Sequence, residues 1–169
     1  LDHPTIVAQA RRHGLPIRPQ PEGDLGARMA AILDEAFARG TAGILVGSDL
    51  PTLGPGHVRA ARSALAEGCA AVFAPAEDGG YGLIALAERR PDLFARMPWS
   101  TDRVLAELLA RLGAEGREGR VAVRLLDTLW DVDEPEDLDR LFRLPEFADL
   151  RVEWRGRVPA GARRGDQAL

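Results

Sequence analysis

The chain contains no lysine: all 22 of its basic residues are arginine. Schiff-base catalysis and a Walker-type phosphate loop both need a lysine amine, so both are excluded. Cysteine is almost as scarce. The one cysteine, Cys69, has no partner for an intramolecular disulfide. It lies in the apolar context EGCAAVFAP and reads as a small core residue, which suits an intracellular, cytoplasmic protein. The spacing from His3 to His13 fits no usual zinc pattern, and His57 is the third histidine. No run of eighteen apolar residues and no signal peptide occur, so no membrane partner is expected. There is no basic stripe either. With a net charge of −4 and a pI near 5.4, nucleic acid is not an expected partner.

What is present describes an ordinary globular chain. Its 169 residues suffice for one domain that buries roughly 70% of its unfolded surface without a disulfide or metal staple. Residues 1–150 read as that domain. Residues 151–169 read as a flexible extension, a short VEW piece followed by the Gly/Arg-rich GRVPAGARRGDQAL. Helix signals cover 4–13, closed by Gly14, and the stretch GDLGARMAAILDEAFARG at 23–40, with Asp24 as N-cap and Gly40 as terminator. In the second helix Leu25, Met29, Ile32, Leu33, Ala36 and Phe37 share one predicted inward face. AGILVGSD, CAAVFAPA, YGLIALA and RVAVRLL read as strands. Helices are predicted from Pro55 to Gly68, from Ser100 or Thr101 onwards, and over EPEDLDRLFR. The alternation predicts a three-layer α/β fold: a mostly parallel sheet with helices on both faces, with room for one antiparallel strand.

Three acidic patches fall at or just after predicted strand ends, where open α/β sheets place their ligand crevice. In GSDLPTLGP, Ser48 and Asp49 follow an apolar strand. Asp49 is a candidate ligand for Mg2+ or Mn2+, or an Asx-type turn before Pro51. In PAEDGGYGLIAL, Glu77 and Asp78 precede Gly79, Gly80 and Tyr81. This stretch is a candidate catalytic and substrate-contacting loop, or a plain hairpin. In LWDVDEPEDL, Asp131 and Asp133 alternate and so share a face of an extended backbone. Asp133 could equally cap the next helix with Glu136. A fourth patch, MPWSTDRVL, pairs the aromatic surface of Trp99 with Ser100 and Thr101 at a helix start, a natural anion site as well as a cap.

The order GDLGARM, GSDLPTL, PAEDGGYGLIAL, PWSTDRVL and DVDEPEDL, spanning Pro19 to Leu144, resembles a radical-SAM-associated family named arsenosugar-biosynthesis glycosyltransferase-like. Its wider relatives share the GT-A nucleotide-diphospho-sugar transferase fold and include phospholactate and molybdenum-cofactor guanylyltransferases. The resemblance implies a metal-dependent glycosyltransferase that uses a nucleotide-activated sugar and a small-molecule acceptor. Asp49 matches the family's metal-binding aspartate, and Asp131 or Asp133 its second carboxylate. Glu77, Asp78, Gly79 and Gly80 match its acceptor or sugar loop, with Asp78 the expected base and Glu77 the reserve. Two acids and a divalent cation would neutralise a departing pyrophosphate group.

Such proteins begin with a strand and a Gly/Arg/Lys loop that has no match here. An N-terminally shortened domain with an open sheet edge, and so an associating one, is therefore expected. The alternatives are nucleotidyl transfer to a phosphorylated small molecule and an inactive binding module. A hydrolase is disfavoured by the lack of a nucleophile elbow.

Overall fold

The computed structural model describes residues 3–90, 92–115 and 122–151. The predicted extension lies outside them from residue 152. In chain order the elements are α1 (Pro4–Arg12), α2 (Leu25–Phe37), β1 (Gly43–Val46), α3 (Pro55–Ala66), β2 (Ala71–Pro75), β3 (Tyr81–Leu86), α4 (Val104–Glu115), β4 (Val123–Leu125) and α5 (Pro135–Leu141), followed by a short 3-10 turn at Pro145–Phe147.

The four strands form one sheet in the order β1-β3-β2-β4. β2 and β4 run parallel, while β3 lies antiparallel to both β1 and β2. Three strands thus point one way and β3 the other. The reversal follows from the tight connection after Pro75, which is too short for a crossover. The sheet is mostly parallel in direction, as expected, although its one reversed strand makes two of the three strand interfaces antiparallel.

Alternation along the central strands builds two cores. Ala71, Phe73, Ile84 and Leu86 face Met29 and Leu33 of α2 and Val104, Leu108 and Leu112 of α4. Val72, Ala74, Leu83 and Ala85 face Ala61 and Ala64 of α3, with Leu129 beside them. The result is an α/β fold with helices on both sheet faces. Cys69 is buried, as its context implied.

The inward face predicted for α2 needs correction. Met29 and Leu33 are buried, whereas Leu25 and Ile32 are about half exposed. Helical spacing gave a stripe wider than the strip of sheet beneath it. Among the described residues β1 pairs only with β3, so the far side of α2 overhangs an uncovered edge that also exposes Val46.

Candidate active site

The acids come together through backbone pairing. After β1 the chain turns sharply. The Gly47 N–H donates to the Gly82 carbonyl at 2.9 Å, and Leu50 folds over β3. A Cβ on Gly82 would lie 2.6 Å from Leu50 Cδ1, so glycine there is what lets Leu50 plug the turn. With Leu50 packed down, Asp49 is left at the surface. The strap after β4 then crosses it: the Val132 N–H donates to the Asp49 carbonyl at 3.0 Å. Asp131 and Asp133 flank that bond, so residues remote in sequence become neighbours. The strap is also tied to the segment after β2, where the Leu129 N–H donates to Pro75 O at 2.7 Å and the Glu77 N–H donates to Leu129 O at 3.1 Å.

The outcome is a crevice of about 510 Å³ at the carboxyl ends of β1 and β2, within the usual range for small-ligand sites. Asp49, Asp78 and Asp131 line it, together with Ser48, Gly80, Tyr81, Trp99, Ser100 and Thr101. Burial raises the Asp131 carboxyl above its ordinary value. Its own backbone N–H opposes this, while the negative charges of Asp78, Asp133 and Asp49 push it further up. Asp131 thus lies within electrostatic reach of each of those three acids. Among the described residues no three His, Cys or carboxylate side chains are grouped closely enough to hold a metal ion alone. A cation here would take one or two protein carboxylates and fill its shell with water and ligand oxygens, as Mg2+ commonly does.

Other candidates have different surroundings. Glu77 is outside the lining. Arg140 donates to both its oxygens, at 2.6 and 2.8 Å, and holds its carboxyl below the ordinary range. The same guanidinium lies 4.2 Å over the Trp130 ring. Asp133 is also outside the lining, and its carboxylate does not cap α5. The N-cap is Glu134, and Asp137 accepts the Asp133 and Glu134 N–H groups at 3.1 and 2.9 Å. The capping signal was real but was served from inside the helix. Gly79 meets protein: its φ is +88°, and a Cβ there would overlap the Asp102 carbonyl. Its own carbonyl accepts the Leu105 N–H at 3.1 Å. Gly80 does line the crevice, and its N–H donates to Asp78 Oδ1 at 2.8 Å, leaving Oδ2 the freer oxygen.

Tyr81 packs edge-on against Phe73, and its hydroxyl donates to Met29 Sδ at 3.3 Å. Burial pushes its phenol far above the ordinary value, so it stays neutral. Trp99 rests on Gly26 and lies 6.3 Å from Phe94. Ser100 takes a left-handed φ of 60°, a strained state for a residue with a Cβ. Thr101 starts a turn rather than the helix, accepting the Arg103 N–H at 3.4 Å, and α4 begins at Val104. Sequence reasoning missed Gln20, Arg28 and Leu45 in the lining. Only the GDLGARM stretch hinted at Arg28.

Residues 2–101 match the family described as "Uncharacterized protein conserved in bacteria" (DUF2064). A crystal structure from Desulfovibrio desulfuricans G20, provisionally titled a nucleotide-diphospho-sugar transferase, superposes with a TM-score of 0.70 at 28% identity, covering 90% of this chain and 70% of that one. No curated protein matches significantly.

Proposed function

The chain belongs to the DUF2064 family of bacterial proteins, and from that premise we propose that it is a glycosyltransferase-like enzyme, using a nucleotide-activated sugar, a divalent cation and a small-molecule acceptor. The observation that carries this reading is the convergence of Asp49, Asp78 and Asp131 on one crevice, in a fold shared with a protein provisionally titled a nucleotide-diphospho-sugar transferase. Asp49 and Asp131 are the residues that would hold Mg2+ or Mn2+. The cation would supply neutralisation of the diphosphate leaving group.

Asp78 is the proposed base. Gly80 orients its carboxylate through Oδ1, so Oδ2 can take the proton of an acceptor hydroxyl. As the acceptor's hydroxyl oxygen bonds to the sugar's anomeric carbon, the bond from that carbon to the diphosphate breaks and its electron pair leaves with the nucleoside diphosphate. Glu77, locked by Arg140, acts in holding the loop. Trp99, Ser100 and Thr101 line the same crevice, where a sugar or acceptor would lie.

Calorimetry with Mn2+ and a panel of nucleotide-sugars and nucleoside triphosphates tests the assignment. Wild-type protein should bind a nucleotide-sugar only with Mn2+ present, and Asp49→Ala should lower the affinity at least about tenfold. Equal binding by both proteins would remove the metal role. A preference for triphosphates would redirect the reading to nucleotidyl transfer.

A further inference from the structure

GDLGARM is the stretch that the proposed chemistry leaves unused, and most of its residues have structural tasks. Gly23 takes a φ of +113°. Asp24 caps α2 by accepting the Ala27 N–H at 2.8 Å. Gly26 leaves room for the indole, since a Cβ there would lie 2.8 Å from Trp99 Cζ2. Met29 is buried beneath Tyr81. Arg28 has another character. It is half-buried, lines the crevice, and is the one cationic side chain among the described lining residues.

Its hydrogen bonds go to neutral acceptors. Nε donates to the Gly23 carbonyl at 3.0 Å and Nη1 to Gln20 Oε1 at 3.4 Å. Several guanidiniums elsewhere in the molecule are matched by carboxylates, as Arg89 is by Asp34 and Arg140 by Glu77. Among the described residues Arg28 has no such ion pair. Neutral acceptors fix the direction of a guanidinium without cancelling its charge. Of its five N–H donors, those left over keep the planar fork that suits a phosphate.

We infer that Arg28 binds a phosphate group of the ligand and so sets its direction in the crevice. Where no cation screens it, an anion elsewhere in the crevice would face three carboxylates. At Arg28 it meets the single positive side chain, with its other end free to point towards Asp78. The inference rests on the crevice being a ligand site, but it concerns only the anion and not the transfer reaction.

Inorganic pyrophosphate is the probe, titrated with Mn2+ into wild-type protein and into Arg28→Gln, Arg28→Lys and Gln20→Ala variants, with melting temperatures in parallel. Arg28→Gln keeps a donor for the Gly23 carbonyl but removes the charge, and should weaken pyrophosphate binding at least tenfold while leaving the melting temperature within a few degrees. Arg28→Lys should recover part of the affinity, and Gln20→Ala should lose less than Arg28→Gln. Mn2+ binding without pyrophosphate should be the same in all four proteins. Unchanged pyrophosphate affinity in Arg28→Gln, or no pyrophosphate binding by wild type, would overturn the inference. Loss of pyrophosphate in Arg28→Gln, with no nucleotide-sugar binding by wild type, would leave Arg28 standing and remove the transferase reading. Nucleotide-sugar binding that survives Arg28→Gln intact would do the reverse.

Discussion

At the scale of single residues, the crevice trades stability for charge. Asp131 titrates above the ordinary carboxylate value because burial and three neighbouring acids oppose its ionisation. An acid with a raised folded-state value favours the native state when protonated, and that advantage is lost as pH rises through the raised value. At neutral pH the ionised carboxylate is therefore a liability. Asp131→Asn should raise the melting temperature, by about 1 °C given the partial solvent exposure, while reducing Mn2+ affinity at least about tenfold. Scanning calorimetry and Mn2+ titration read the two effects separately. Gly79 shows the opposite kind of constraint. Its positive φ and the Asp102 carbonyl beside it leave no room for a methyl group, so Gly79→Ala should cost about 3 kcal/mol in urea unfolding. Neither effect follows from residue type alone. DGG reads equally well as a plain turn, and its contact with the loop before α4 exists only in three dimensions.

At the scale of elements, Arg140 of α5 clamps two loops. It grips Glu77 through two hydrogen bonds and covers Trp130, so the segment carrying Asp78 and the strap carrying Asp131 are held at a fixed separation. Arg140→Met should speed amide exchange at Glu77 and Leu129, whose N–H groups tie these segments together. Amides in α2 and β1 should be unaffected, and uniform protection across the variant would show that the clamp is idle. The elements themselves were mostly legible. Asp24 caps α2 as its sequence context indicates, and Pro55 opens α3. The start of α4 was not legible, because Ser100 and Thr101 look like caps but form a separate turn. Local hydrogen bonding favours both outcomes for such residues, and Gly79 with Leu105 decides between them.

At the scale of the molecule, three carboxyls at or near the surface are held below their ordinary values. Arg89 lowers Asp34, Arg140 lowers Glu77, and the backbone N–H groups of Glu134 and Asp133 lower Asp137. For depressed acids the stabilisation is complete above the unfolded values, near 3.8 for Asp and 4.5 for Glu, and fades as pH falls through the folded ones. Urea midpoints should hold steady from neutral pH to about pH 5 and then decline. Added salt should narrow that decline, because the two arginine pairs are exposed and screened. A midpoint that rises on acidification below pH 4 would contradict this and point to Asp131 as dominant. Among the described residues no helix is long and apolar enough to cross a membrane.

The sequence by itself determined the strands, most of the helices and the α/β class. These depend on hydrophobic period, caps and breakers, which act over a few residues. It also marked Asp49, Asp78 and Asp131, because a carboxylate after an apolar run stands out. Tertiary structure alone decided that these three share a crevice while Glu77 and Asp133 do not, and that Arg28 lines the same crevice. The reason is physical. Whether a charged side chain is paired, solvated or aimed at a cavity depends on what the sheet brings alongside it, and the Val132–Asp49 hydrogen bond joins segments whose separation in the chain leaves no local trace.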